Sequence, residues 1–346
     1  MVPNDELETD QNQRKAVSSE NSIMSIARRA GIRSKALAVF SWPKEHYLRG
    51  LNRIKIEKFE VKRKEYPHNL NIIEKSGFGH NNELLTEYWR HVVQEMRTVF
   101  SELPRDFLRV EPFCGAVAPN VLPFTKSEVK SNLKFLEDNM NQTDVREILV
   151  EDFVGRPYVI SNRFKTSFVR IQHLCHYIQY EIKTTYLLRD IGSVVEWGGG
   201  YGDAARLYLK IRPDTTYSII DLPIMSAIQY SYLSSIFPDS MVNLVVNEKQ
   251  DVKHHAINLI PLCFASSVQI EAEMLISTFA LTETNRATID FIINHKMFGA
   301  QHFLFAYQTQ NALIPQGRIL GEDIARVTGS KIMKMGREDA SYYAFR

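Results

Sequence analysis

The chain has 346 residues, of which 44% are hydrophobic and 24% are charged, and its formal net charge is +2. This composition supports about two folded domains and excludes a chain that is disordered throughout. Three scattered cysteines exclude a disulfide framework or a four-thiolate zinc site, and the small net charge argues against nucleic-acid binding by the whole chain. No apolar run approaches the roughly 18 residues of a spanning helix. The first 20 residues are polar, so we expect a protein of a reducing, cytoplasmic compartment.

Charge is distributed unevenly near the start of the chain. Residues 1–20 carry 2 basic and 5 acidic side chains and predict a loose tail, whereas residues 21–64 carry 12 basic and 3 acidic ones. Apolar residues between Ile23 and Ile32 recur at helical spacing, so the basic stretch could contact an anionic membrane surface or an acidic partner. The alternative, which the interruption by Gly31 favours, is an ordinary helix whose basic residues are solvated or ion-paired.

Helical patterns dominate the next part of the chain, where strand signals are few. Apolar residues over 82–100 recur at helical spacing, and Pro104 ends that helix. Ser127 and Thr143 are the predicted N-caps of two further short helices. We therefore predict a mainly helical region over residues 21–155.

The rest of the chain, residues 156–346, alternates helical and strand-like patterns. A long helix is predicted over 166–188, with Gly192 as its C-terminal signal. Short apolar runs then alternate with helical ones, which is typical of a parallel sheet with helices on both faces. The last two runs could form a closing hairpin, and a further run at 242–246 has no predicted place in the sheet. The predicted strands are 193–197, 217–221, 257–262, 274–277, 302–307, 331–335 and 342–345.

The most informative segment is a glycine-rich turn between a predicted strand and helix, VVEWGGGYGD over 194–203. Glycines permit positive φ and let a ligand contact the backbone, and the helix start offers free N–H groups to an anion. The spacing G-x-G-x-x-A from Gly200 fits a dinucleotide, while Glu196 at the strand end suits the ammonium of S-adenosylmethionine. Asp221, which ends the next predicted strand, can accept hydrogen bonds from the ribose hydroxyls of either ligand.

The glycine turn and the segment IIDLP at 219–223 resemble class I S-adenosylmethionine-dependent methyltransferases, and more closely the sugar O-methyltransferase family. This resemblance implies a Rossmann-like α/β fold with a seven-stranded sheet and S-adenosylmethionine as the cofactor. It also implies methyl transfer to a sugar hydroxyl of a glycan, a glycoconjugate or a natural product. Two departures are Thr282, where the family usually has serine, and Trp197, where Ile or Phe is common. The resembling segments are VVEWGGGYGDAARL (194–207), YSIIDLPIMSAIQYSYL (217–233), MLISTFALTET (274–284) and SYYAF (341–345), within residues 155–346.

The expected donor site follows from the turn and from this resemblance. Glu196 would hold the methionine ammonium, the backbone of residues 198–202 the carboxylate, and Asp221 the ribose. Residues after the third and fourth strands would border the adenine and the sulfonium. The predicted cofactor-binding residues are Glu196, Gly198, Gly199, Gly200, Tyr201, Gly202, Asp221, Leu222, Leu262, Ser277 and Thr278.

A sugar hydroxyl is a poor nucleophile while protonated, so a positioned general base should accelerate transfer by about 10²–10⁴-fold. Glu283 follows a predicted strand at the edge where open α/β sheets bind ligands, and is the first candidate. His173 and His176, one turn apart on a helix, are further candidates for the base or for a sugar contact. Tyr307 and Gln308 are predicted acceptor contacts. The structural alternatives are a helix N-terminal carboxylate, a histidine bonded to a carbonyl, and ordinary core residues.

The remaining expectations concern partners and rival functions. The helical region over 21–155 would cap the site, select a sugar or glycoconjugate acceptor, or form a homodimer. No metal is expected, because the pairs His173/His176 and His254/His255 match no ligand set. The alternatives are an NAD-dependent oxidoreductase and a non-catalytic binding protein that retains the fold. S-Adenosylmethionine should stabilise the methyltransferase, and NAD the oxidoreductase.

Overall fold

The computed structural model describes residues 48–77, 81–117, 126–161, 163–308, 316–335 and 341–346. The predicted tail and the basic stretch as far as residue 47 lie outside these residues. Within the described ranges, no helix has both the length and the apolar character that crossing a membrane requires.

Helices form most of the described chain ahead of the sheet. The second of the longer ones begins where Thr86 Oγ1 accepts a hydrogen bond from Trp89 N (3.3 Å), later than the predicted start. Both N-cap predictions were wrong. Asn141 caps the fourth of the longer helices by accepting from Thr143 N at 3.0 Å, and Ser127 lies inside the third. The longer helices are α1 (Arg53–Ser76), α2 (Glu87–Val99), α3 (Lys126–Asn139) and α4 (Gln142–Leu149), and one more short helical turn, Phe113–Ala116, lies between α2 and α3.

The helix that leads into the sheet is α5 (Phe168–Thr184). Ser167 caps its start, and Thr185 ends it in a left-handed conformation with φ 64°. The helix is therefore shorter than predicted, and Gly192 is not its C-terminal signal. Ten of its side chains are buried, so α5 packs on more than one face.

The sheet has eight strands in the order β3-β4-β2-β1-β5-β6-β8-β7. The neighbours from β3 to β6 run parallel, and β7 and β8 form the antiparallel hairpin that the sequence predicts. The expected number of seven strands was wrong, because part of the unassigned run at 242–246 pairs with the outer edge of β4. The strands are β1 (Ser193–Trp197), β2 (Thr216–Asp221), β3 (Val242–Leu244), β4 (Ile257–Pro261), β5 (Met274–Thr278), β6 (His302–Gln308), β7 (Lys331–Lys334) and β8 (Ser341–Phe345).

Helices alternate with these strands, which gives a doubly wound, Rossmann-like α/β fold as predicted. From β1 the chain moves outward to β2 and the edge strand β3, comes back to β4 between them, and then crosses to β5 on the other side of β1. The strand order therefore reverses between β1 and β5, the point at which such sheets bind ligands. The helices of this part are α6 (Asp203–Ile211), α7 (Pro223–Ile236), α8 (Arg286–Asn294) and α9 (Gly317–Thr328).

One hydrophobic core joins the early helices to the sheet. Phe59 and Tyr66 of α1 belong to the same buried cluster as Ile219 of β2, and α1 packs along α7. The predicted division at residue 155 stays a prediction.

Candidate active site

A cavity of about 440 Å³ opens at the carboxyl ends of β1, β2, β5 and β6. Its floor includes Gly198, Asp221, Thr278 and Gln308, which end or follow these four strands. Trp89 of α2 belongs to its opposite wall. The cavity therefore lies at the topological switch point, and the helical part of the chain contributes to its lining. The other polar or ionisable side chains that line it belong to Thr86, Gln172, His173, Glu283, Thr284 and Ser341.

The glycine turn forms the centre of the floor. Gly198 and Gly200 line the cavity and have φ of 74° and 57°, a region that favours glycine. A Cβ on Gly198 would lie only 2.2 Å from the Cβ of Ala280. The turn thus needs glycine to bring bare backbone to the cavity, as expected for a bound ligand. Gly199, Gly202 and the buried Tyr201 belong to the turn but do not line the cavity.

Asp221 lines the cavity at the end of β2. Its Oδ1 accepts a hydrogen bond from Leu222 N, and its Oδ2 accepts one from Gln229 Nε2, both at 2.8 Å. Burial raises the pKa of this carboxyl to about 7, although the hydrogen bonds oppose the shift. Leu222, Leu262 and Thr278 line the same cavity, as the sequence predicts.

Gln229 of α7 joins the two halves of this floor, and sequence reasoning missed it. Its Nε2 donates to Gly200 O and to Asp221 Oδ2, each at 2.8 Å. The side chain is fully buried, so the two amide protons of one group fix the turn relative to the carboxyl. The available signal is a long amide side chain in a helix whose other residues are apolar, aromatic or serine.

Two further predicted cofactor residues, outside the glycine turn, do not line the cavity either. Glu196 is buried, and its Oε2 accepts a hydrogen bond from the Tyr217 hydroxyl at 3.0 Å. Burial raises the pKa of Glu196 to about 7. Ser277 is also buried, and its Oγ donates to Trp197 O and accepts from Leu281 N. These two side chains hydrogen-bond to residues around the cavity floor and do not themselves line the cavity.

Glu283 lies at the far end of the cavity from Asp221, after β5. Its Oε1 accepts a hydrogen bond from Gln308 Nε2 at 3.1 Å, and the Trp89 side chain lies close enough to the same carboxyl to favour its ionised form. Burial raises the pKa of Glu283 to about 7. Tyr307 lies outside the cavity, because its ring is buried against Tyr342.

The two histidines of α5 occupy different environments. His173 lines the cavity, and its Nδ1 lies 3.2 Å from Asp203 Oδ2. His176 does not line it. Its Nδ1 bonds to the Tyr343 hydroxyl at 2.7 Å, and burial lowers the pKa of this imidazole to about 3. Of the two histidine candidates, the structure brings only His173 to the cavity.

A buried charge cluster supports Asp203 at the start of α6. Arg170 binds Asp203 Oδ1 through Nε (2.9 Å) and Nη2 (2.8 Å), and it also binds Glu151 at 3.0 Å. Although burial alone would raise the pKa of Asp203, Arg170 and His173 lower it to about 2. Arg206 pairs with Asp152 at 2.7 Å and extends the cluster to the segment that follows α4. Asp203 is therefore an ionised carboxylate held in a fixed position behind His173.

Sequence reasoning also missed two cavity residues beside the acids. Trp89 is one of the apolar residues at helical spacing over 82–100, a pattern that indicates packing and not a ligand contact. Phe279 adopts φ 72° directly after β5, and no local sequence signal predicts this conformation. Within the described part of the chain, no group of three or more His, Cys, Asp or Glu side chains is arranged to hold a metal ion.

Comparison with protein-family models and with curated protein sequences finds no match. One similar solved structure is the pyocyanin biosynthetic protein PhzM, with 14% identity over 52% of this chain and 57% of that one and a TM-score of 0.35. The mitomycin 7-O-methyltransferase MmcR matches with 12% identity over 90% of this chain and 98% of that one, and a TM-score of 0.35. PigF with SAH matches with 12% identity, 75% and 69% coverage, and a TM-score of 0.34. Likenesses this weak assign neither an activity nor a substrate to this chain.

Proposed function

We propose that the protein is an S-adenosylmethionine-dependent O-methyltransferase that acts on a sugar hydroxyl. The observation that carries this proposal is the composition of a single cavity. A bare glycine turn and Asp221 lie at one end of it, and the His173–Asp203 pair and Glu283 line the remainder. One cavity thus combines a carboxyl suited to bind the ribose of a nucleoside, Asp221, with side chains that could accept a hydroxyl proton, His173 and Glu283.

The donor fits the β1–β2 end of the cavity. Asp221 offers carboxylate oxygens to the ribose hydroxyls of the donor. Leu222 and Leu262 supply apolar walls for its adenine ring. The bare backbone around Gly198 suits the amino-acid part of the donor, because no Cβ stands in the way. Glu196 acts on the donor ammonium only through its electric field, since it lies behind the turn.

When bound, S-adenosylmethionine supplies a methyl group on a positively charged sulfur. The chain's own residues hold the acceptor hydroxyl in line with that methyl group, an effect worth up to about 7–11 kcal/mol. In this proposal Nδ1 of the neutral His173 imidazole donates to Asp203, which directs the basic lone pair to Nε2. His173 Nε2 would then take the proton of the acceptor hydroxyl as its oxygen replaces sulfur on the methyl carbon, and S-adenosylhomocysteine would be the leaving group.

The acceptor end supports a polyhydroxylated substrate. Trp89 offers an aromatic face, and Glu283, Gln308 and Gln172 offer hydrogen-bond donors and acceptors. These groups suit the alternating apolar and hydroxyl-bearing faces of a sugar ring. The wall that α2 contributes supports the proposed role of residues 21–155 in acceptor selection.

A thermal-shift experiment tests the cofactor class. S-Adenosylhomocysteine should raise the melting temperature with concentration, and NAD should not, because only a ligand of the folded state stabilises it by mass action. The Asp221→Ala variant should lose this shift. A shift with NAD alone would instead support an oxidoreductase, and release of S-adenosylhomocysteine in the presence of sugar acceptors would establish methyl transfer.

A further inference from the structure

We propose that the acceptor carries an ammonium group, as in an amino sugar, and that Glu283 and Trp89 bind this group. The inference rests on the proposed function and narrows its substrate class. It concerns the far end of the cavity, where Glu283 meets Gln308 and Trp89.

The position of Glu283 separates it from the donor. Asp221 ends β2 and Gln308 ends β6, and the intervening order is β2-β1-β5-β6. Three strand spacings of about 4.8 Å put these ends about 14 Å apart. A donor whose ribose meets Asp221 and whose amino-acid part meets the Gly198 turn occupies the β2 and β1 ends. The space beside Glu283 is then left for the acceptor.

Among the residues that the structure describes, no cationic group contributes to the surroundings of the Glu283 carboxyl. Its Oε1 accepts a hydrogen bond from the neutral amide of Gln308, and the neutral Trp89 side chain lies beside it. No lysine or arginine lines the cavity among the residues that the structure describes. Glu283 is half-buried, and a partly desolvated carboxylate with neutral partners is costly, so a bound cation would relieve that cost. The same surroundings oppose a phosphorylated or diphosphate-linked group at this end.

Trp89 completes the expected environment for an ammonium group. It lines the same cavity as Glu283, and its indole lies near enough to the carboxyl to influence its pKa. An ammonium ion is attracted both to the face of an indole ring and to a carboxylate. On this assignment Glu283 anchors the acceptor, and His173, across the cavity, receives the hydroxyl proton.

The test compares glucosamine, N-acetylglucosamine and glucose 6-phosphate as ligands of the wild-type protein saturated with S-adenosylhomocysteine. Dissociation constants come from ligand-observed NMR titrations at pH 7. We expect glucosamine to bind at least about tenfold more tightly than its N-acetyl counterpart, which corresponds to about 1.4 kcal/mol. In the Glu283→Gln variant the two ligands should bind within about twofold of each other. Glu322→Gln makes the same chemical change on an exposed surface and should retain the preference.

Other outcomes overturn the inference. Equal binding of glucosamine and N-acetylglucosamine, preference for glucose 6-phosphate, or no saturation by any of the three contradicts it, and these wild-type comparisons do not depend on the folding of a variant. A folded Glu283→Gln protein that loses affinity for S-adenosylhomocysteine would show that Glu283 serves the donor. Failure of the wild-type protein to bind S-adenosylhomocysteine would instead contradict the proposed function.

Discussion

The hydrogen bonds of Gln229 make a direct prediction about donor affinity. Replacing Gln229 with leucine keeps a side chain of similar size but removes both Nε2 donations, to Gly200 O and to Asp221 Oδ2. A carbonyl oxygen and a carboxylate oxygen then face each other without a donor between them. The Asp221 side chain should move from its present position, and the glycine turn should lose the hydrogen bond that fixes Gly200 O.

The two bonds set the magnitude of this effect. A hydrogen bond to a neutral acceptor contributes about 0.5–1.5 kcal/mol, and one to a charged acceptor about 1.5–3 kcal/mol. We expect Gln229→Leu to lower the free energy of unfolding by about 2–4 kcal/mol. The hydrogen bond to Asp221 positions the carboxyl that would bind the ribose. Its loss should therefore raise the dissociation constant of S-adenosylhomocysteine about 10- to 100-fold.

Isothermal titration calorimetry measures this affinity, and urea denaturation measures the free energy of unfolding. Ser226→Ala is a matched control one turn earlier in α7, because within the described chain the buried Ser226 hydroxyl has no hydrogen-bond partner. This control should change the dissociation constant by less than about twofold. Wild-type affinity in a folded Gln229→Leu protein would refute the reasoning that Gln229 positions a donor-binding carboxyl.

Three further predictions follow from the same site. Gly198→Ala places a Cβ 2.2 Å from that of Ala280 at a φ of 74°, so S-adenosylhomocysteine binding should weaken more than about tenfold in calorimetry; unchanged affinity would contradict the tight turn. Arg170→Met leaves Asp203 buried without its arginine and should cost about 3–5 kcal/mol in urea denaturation, whereas a loss below about 1 kcal/mol would contradict the buried cluster. Burial raises the pKa of Asp221 to about 7, against about 4 in an unfolded chain, so the stability this group contributes is complete below about pH 4 and is lost as the pH rises to about 7. Asp221→Asn should therefore lose less stability than wild type between about pH 4 and 7, and equal slopes would contradict the raised pKa.

The sequence predicted most of the sheet because each buried strand is a short run of apolar residues that can be recognised locally. The parallel strands are short apolar runs between helical patterns, and the hairpin strands follow at the end. The sequence does not predict the position of the edge strand β3 in the sheet, because a three-residue strand is too short for its pattern to indicate a pairing partner. The N-caps failed because serine, threonine and asparagine near a helix start are chemically equivalent signals, and only the backbone geometry chooses among them.

The sequence predicted those parts of the site in which a functional residue directly follows or ends a recognisable strand. The Gly198 turn directly follows β1, and Asp221 ends β2. His173 and His176 could not be distinguished, because the sequence did not indicate which face of α5 meets the cavity. Tyr307 and Gln308 raise the same difficulty on β6, since adjacent side chains of a strand point to opposite faces.

Other parts of the site depend on contacts between distant segments. Trp89 approaches Glu283 from a helix almost two hundred positions earlier in the chain. The buried partnership of Arg170 with Asp203 likewise joins two helices. Neither contact leaves a trace in local periodicity, so both needed the three-dimensional structure.

A calorimetric titration of the purified, folded wild-type protein with S-adenosylhomocysteine tests the central claim most directly. The account predicts saturable binding at one site per chain, with the affinity lost in Asp221→Ala. Absence of saturable binding to the wild-type protein, or full affinity in the variant, would contradict the assignment of this cavity to a methyl donor.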